Sequence, residues 1–266
     1  MAKIGVAGKA ETESGPLTIH VEDGIAHLTL QRPDKRNALN DVLIEELRAF
    51  FAAPPEGVAV ALLSGSGGHF SAGLDLSEHV SRPAPEVMKH SRHWHSVMDM
   101  IQFGGLPVVA ALEGAVMGGG LELAAAAHVR VADPSTIFQL PEGRRGIFVG
   151  GGASVRIGRI LGPDRMVEMM LTGRKYGAEE GLALGLAHYL SEPGGARDQA
   201  LSLARTIAGN APLSNYIVIQ ALSRIDDMSR GDGLFAESLC AALSQTSDDA
   251  REGLKAFLEK RQPRFG

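Results

Sequence analysis

The sequence predicts an α/β protein. Three observations carry that reading. Short apolar runs of strand length, such as GVAVALLSG (57–65) and PVVAAL (107–112), recur along the first two thirds of the chain. Glycine-rich turns come after these runs and lead into amphipathic helical stretches. Near residue 195 the strand signals stop, and the remainder of the chain reads as amphipathic helix.

Taken in order, residues 1–15 are polar and irregular and are expected to form a loose tail. LTIHVED and IAHLTL form a strand pair joined by Asp23-Gly24, a strong hairpin dipeptide. After the basic turn RPDKRN, Asn40 is placed to cap a helix carrying Leu43, Leu47 and Phe51 on one face. The run 57–65, bounded by glycines, is expected to be a strand buried on both faces. A glycine-rich loop, GSGGHFSAGLDL, leads toward a helix over 85–104. The unit then recurs as strand PVVAAL, glycine-rich turn, helix from about Gly119, strand HVRVAD and short strand TIFQL. The segments 196–210, 212–227 and 233–261 read as helices, so a core over 1–195 and a helical subdomain over 196–266 are expected.

Composition narrows the function classes. The chain has 266 residues, 44% of them hydrophobic and 21% charged, ordinary for a globular protein with a sizeable core. A net charge of −5 and the lack of a dense basic cluster argue against nucleic acid as partner. Cys240 is the single cysteine, which fits a reducing cytoplasm. No signal or transit pattern opens the chain, and no apolar run is long enough for a membrane span. Glycine is the outlier at 33 residues, against a usual level of roughly 7%. Such usage points to backbone packed closely on backbone or on a ligand.

The segment EGAVMGGGLELAAAAHVRVAD (113–133) places three glycines before one acid, Glu122, in an otherwise apolar run. A carboxylate there either sits in a first helical turn or helps build a site. Free N–H groups at such a helix start favour developing negative charge, including that on a thioester oxygen. Glu142, after Pro141 at a strand end, is either a surface acid paired with Arg144 or Arg145 or a second acid for the same space. Two converging carboxylates could divide water activation and proton exchange with carbon. HFSAGLDL (69–76) is either a plain loop or the source of another backbone donor.

Together RPDKRNALN, HFSAGLDL, PVVAALEGAVMGGGLELA, LPEGRRGIFVGGGASVRIGRILG and EGLKAFLEKRQPRF, in this order and spacing, resemble the enoyl-CoA hydratase/isomerase (crotonase) superfamily over residues 17–266. The resemblance implies a crotonase-like spiral of ββα units with a C-terminal helical trimerisation subdomain, assembled as a homotrimer or as a hexamer of two trimers. It implies that the N–H groups of Leu74 and Gly119 form an oxyanion hole, that Glu122 helps hold and activate water, and that Glu142 handles the α-carbon proton. It implies contact with the acyl-CoA thioester by Lys35, Arg36, Ala38, Ala72, Gly73, Asp75, Leu76 and Gly118, and by Phe257 and Lys260 near the CoA nucleotide. Coenzyme A is part of the substrate, and no separate cofactor or metal is implied.

The expected reaction is reversible syn addition of water to a 2-enoyl-CoA, giving a 3-hydroxyacyl-CoA. An isomerase or ring-substrate relative using one acid is the alternative, and a non-catalytic CoA-binding scaffold a third reading that would need neither glutamate. Ala127-His128, Arg144-Arg145 and Val149 depart from the family pattern, near the acyl pocket or the helix after it. His90, His93 and His95 lack further ligands for zinc and are expected on a solvated helix surface. His69 is expected to structure its loop, and Met166, Met169 and Met170 to pack a helix. VGGGASVRIG does not fit a dinucleotide-binding fingerprint.

Overall fold

In a computed structural model of the chain, residues 15–78 and 81–265 are described. Apart from Gly15, the expected tail lies outside them.

The main sheet has six strands, β1 (Leu17–Glu22), β2 (Ile25–Leu30), β3 (Val60–Gly65), β4 (Val108–Leu112), β6 (Val129–Ala132) and β9 (Tyr189–Leu190), in that spatial order. The hairpin expected at Asp23-Gly24 is present: β1 pairs antiparallel to β2 with Leu17 opposite Leu30, and both turn residues have positive φ. Every other neighbour in this sheet is parallel, with registers Ile25 to Val60, Ala61 to Val108 and Val109 to Val129. The side chains of β3 alternate between two cores, as the period of a strand requires. Val60 and Leu62 face α7 (Ala196–Ala208), whose Ala196, Ala200 and Ala204 form a flat small-residue stripe at four-residue spacing. Ala61 and Leu63 face the larger core, which includes Leu43, Leu47 and Phe51 of α1 (Asp41–Ala52) and Trp94, Val97 and Ile101 of α2 (Ala84–Phe103). Asn40 caps α1 as its position suggested, accepting from Leu43 N at 3.1 Å.

A second sheet was not anticipated. Ala115–Met117, expected as part of a turn, is a three-residue strand, β5, parallel to β7 (Ile137–Gln139), which pairs antiparallel with β8 (Tyr176–Gly177). Three residues are too few to display a period, so the strand is defined only by its partner. It directs the chain into α3 (Gly119–Ala126), every residue of which is buried. Beyond β7 come α4 (Ala153–Leu161), α5 (Pro163–Thr172) and α6 (Ala178–Ala183). Met166 and Met169 are buried in α5 and Met170 packs against the same core, as helix packing predicted.

After α7 come α8 (Pro212–Ile225), α9 (Arg230–Gln245) and α10 (Asp248–Leu258). The stretch expected as one helix over 233–261 is broken at Ser247, whose hydroxyl accepts from Ala250 N at 3.0 Å and starts α10. The Arg224 guanidinium of α8 lies 4.5 Å over the Phe103 ring, tying this helix to the end of α2. Large apolar side chains along these helices stay exposed, among them Phe235, Leu239 and Leu243 of α9 and Leu254 and Phe257 of α10.

Candidate active site

The second sheet brings two loops side by side. Ser71 and Val116 form a parallel bridge, with Ser71 N donating to Ala115 O at 2.8 Å and Met117 N to Ser71 O at 3.0 Å. Leu39 and Leu74 form another, through Leu39 N to Gly73 O (2.7 Å) and Asp75 N to Leu39 O (2.8 Å). Those bonds consume Gly73 O and Asp75 N, so the N–H of Leu74 points to the opposite side. There it meets the start of α3, since Leu74 N would stand only 3.4 Å from a Cβ built on Gly119. Gly119 is the first residue of α3, and its own N–H has no intrahelical acceptor. The approach requires glycine at position 73. Its φ is +91°, and a Cβ there would fall 2.6 Å from Met117 O and 3.1 Å from Gly119 N.

Next to these amides lies a cavity of about 380 Å³ whose wall includes Leu74, Gly119, Glu122 and Glu142. Glu122 sits in the first turn of α3 and is buried, yet it is not left without partners. Its Oε1 accepts from Gly151 N at 2.8 Å and Ala153 N at 3.0 Å. Burial pushes its carboxyl above the ordinary range, and these two amides oppose that rise. Glu142 enters from the turn after β7. The alternative of a surface acid paired with an arginine fails here: Glu142 is buried, its Oε2 has no hydrogen-bond partner, and Arg144 bonds Thr172 O instead. Its Oε1 would be 2.8 Å from a Cβ on Gly118. Burial raises its carboxyl to about 7, with the charge of Glu122 adding to the rise.

The other residues singled out in the sequence fall in two groups. Ala72, Gly73 and Gly118 flank the paired amides. Asp75 lies beneath Lys35 and Arg32, accepting from Lys35 Nζ at 2.8 Å and Arg32 Nη2 at 2.7 Å, and its carboxyl is held well below the usual range. Arg36 turns through a positive φ and accepts Ala72 N with its carbonyl, while Ala38 is buried and Leu76 exposed. Within one chain, Phe257 and Lys260 do not line the cavity, and Phe257 is 81% exposed.

Several contributors escaped sequence reading. Gly151 and Ala153 hold Glu122, and the triple glycine at 150–152 was their only trace. A Cβ on Gly151 would stand 2.5 Å from Glu122 Oε2. From α2, Ser91 Oγ donates to Gly150 O at 2.7 Å, and from α4 the Arg156 guanidinium reaches Gly151 O at 3.3 Å, so the glycine loop is pinned from both sides. The three histidines are not a solvated surface as a group. His90 lines the cavity and pairs with Asp41, and His93 pairs with Glu45. Among the described residues no group of three or more His, Cys, Asp and Glu side chains could hold a metal ion. His69 structures its loop as expected, its Nδ1 accepting from Ala115 N at 3.1 Å.

The departures from the family pattern separate by location. Val149 lines the cavity with the glutamates. His128 accepts from Val108 N at 3.0 Å and lines a second cavity of about 680 Å³ at the other end of α3, which neither glutamate reaches.

The site is a buried two-carboxylate cavity beside paired amides, carried on a fold of mainly parallel strands. The enoyl-CoA hydratase/isomerase family profile matches residues 20–266. Human enoyl-CoA hydratase domain-containing protein 2, mitochondrial, is 34% identical over 99% of this chain and 92% of its own. The 2,3-dehydroadipyl-CoA hydratase of Escherichia coli is 32% identical over 94% of this chain and 98% of its own. A solved structure from Rhodopseudomonas palustris, provisionally named an enoyl-CoA hydratase, superposes with a TM-score of 0.90 at 48% identity, covering 96% of this chain and 98% of that one. The chain belongs to the enoyl-CoA hydratase/isomerase family.

Proposed function

We propose that the protein is an enoyl-CoA hydratase that adds water reversibly and syn across the double bond of a 2-enoyl-CoA. The observation that carries this reading is the pair of buried carboxyls, Glu122 and Glu142, on one cavity wall, one held by two amides and the other with an unpartnered oxygen. The thioester oxygen sits between the N–H groups of Leu74 and Gly119. As charge moves onto that oxygen in the transition state, the two fixed donors stabilise it; loss of one such donor costs ~2.7–4 kcal/mol in known cases. Glu122 takes a proton from water as its oxygen attacks the β-carbon. Glu142 gives its proton to the α-carbon, and a carboxyl held near 7 carries that proton at neutral pH. Every proton is accounted for by the two acids and the water, so the reaction needs no cofactor beyond the coenzyme A of the substrate.

Lys35 and Arg36 border the nucleotide end of the substrate, and Ala38, Ala72, Gly73, Asp75, Leu76 and Gly118 its pantetheine path. The exposed apolar stripe on α9 and α10 is covered by further copies of the chain, in a trimer or a pair of trimers, with Phe257 and Lys260 brought to a neighbouring copy's nucleotide. The working compartment is the reducing cytoplasm, in keeping with the lone Cys240.

The test is incubation with short, long and aromatic 2-enoyl-CoAs, tracking loss of the conjugated double bond and product mass. A gain of one water is expected and is lost in Glu142→Gln, which still binds acyl-CoA. A double-bond shift without change in mass would replace this reading with isomerisation.

A further inference from the structure

The cavity that holds the two glutamates has a polar stretch of wall that water addition does not use. Arg82, just before α2, and His90, two turns into it, line the cavity together with Val87, Ile147, Phe148 and Val149. Both pair with one carboxylate: Arg82 Nη2 lies 3.2 Å from Asp41 Oδ2, and His90 Nε2 lies 2.6 Å from Asp41 Oδ1. Asp41 itself is 56% exposed and is not part of the cavity wall. The carboxylate that pairs with Arg82 and His90 is therefore no part of the wall these two side chains present to the cavity. Arg82 has five N–H donors in a planar fork and gives one to Asp41.

Helix α2 acts as a ruler for where this stretch lies. Trp94 marks the reacting end, with Cζ3 3.5 Å from a Cβ on Gly119. His90 is one turn, ~6 Å, further toward the helix start, its ring 5.7 Å from that of Trp94. Ser91 between them has its hydroxyl committed to Gly150 O. An acyl chain leaving the amides thus runs past Trp94 and an apolar wall before it meets His90 and Arg82. A terminal methyl placed there would desolvate a guanidinium without replacing its water, whereas a carboxylate would gain charge-assisted bonds, for which the guanidinium fork is shaped.

We propose that the acyl group taken by this cavity ends in a carboxylate, received by Arg82 and His90 at the end away from Leu74 and Gly119. This rests on the cavity being an enoyl-thioester site. It is tested on the intact protein with 2-enoyl-CoAs of equal chain length ending in carboxylate, carboxamide or methyl. Binding of the corresponding saturated thioesters is measured alongside by calorimetry. The carboxylate-terminated thioester is expected to exceed the methyl-terminated one by roughly 10- to 100-fold in kcat/KM and in affinity, since a bond to a charged group commonly carries that much discrimination. Arg82→Met should shrink that ratio at least tenfold, mainly through KM, and Arg82→Lys should recover part of it. Equal use of the three termini, or a ratio that Arg82→Met leaves intact, would overturn the proposal while leaving water addition standing. Arg82-dependent binding of the carboxylated thioester without any gain of water would sustain it and remove the hydratase reading instead.

Discussion

Gly151 both holds and confines Glu122. Its N–H donates to Oε1 at 2.8 Å, and any Cβ it carried would stand 2.5 Å from Oε2. Glycine at 151 is therefore fixed by contact with the carboxylate rather than by backbone strain, since its φ is not in the left-handed region. Gly151→Ala should keep the fold and push Glu122 off its two amides. Turnover is expected to fall by roughly 10²-fold, with acyl-CoA affinity changed far less. Steady-state kinetics, paired with calorimetric binding of a saturated thioester, check this. Undiminished turnover would mean that Glu122 acts without the loop that holds it.

The pH dependence should be the same in both directions. Hydration consumes no net proton, so the forward and reverse kcat/KM must share one profile, set by the free enzyme. On the proposed roles of the two glutamates, the active form has one proton on the pair, and Glu142, raised to about 7, governs its loss. Both rates are expected to fall about tenfold per pH unit above that point. Rates that stay flat to pH 9 would show that the protonated carboxyl is not required.

The same carboxyl lowers stability at alkaline pH. Its folded value, about 7, lies above the ordinary 4.5, so its contribution is full below about 4.5 and lost as pH rises through 7. Replacing it by a neutral amide removes the burial of charge. Glu142→Gln should therefore melt higher than the parent at pH 8, by on the order of 2 kcal/mol in stability, and show a much smaller gain at pH 5. Calorimetric melting at both pH values decides it, and a gain of equal size at each would assign the effect to packing instead.

The stripe Phe235, Leu239 and Leu243 recurs every four residues on α9 and is more than half exposed at each position. Leu239→Glu with Leu243→Glu should shift the particle toward the monomer in analytical ultracentrifugation, because a buried charge at an interface between copies is costly. A sedimentation profile unchanged from the parent would show that this stripe is not an interface between copies.

Local patterns in the chain were enough to reveal much of this architecture. The Asp23-Gly24 hairpin, the Asn40 cap, the doubly buried strand β3 and the switch to helices after residue 195 arise from dihedral preference and period, which neighbours in sequence decide. Glu122 could be picked out because an acid beside glycines in an apolar run is unusual, and Glu142 because it follows Pro141 at a strand end. Local pattern could not supply which segments meet; for Leu74, Gly119 and the two glutamates only the family resemblance implied it. The strand β5 exists only because β7 lies beside it, and the approach of Leu74 to Gly119 depends on that pairing. The amides on Glu122 come from residues 29 and 31 positions away, and Arg82, His90 and Asp41 converge from separate elements. Contacts of that kind are set by packing over long chain separations, where burial and hydrogen-bond geometry, rather than local preference, choose the partner.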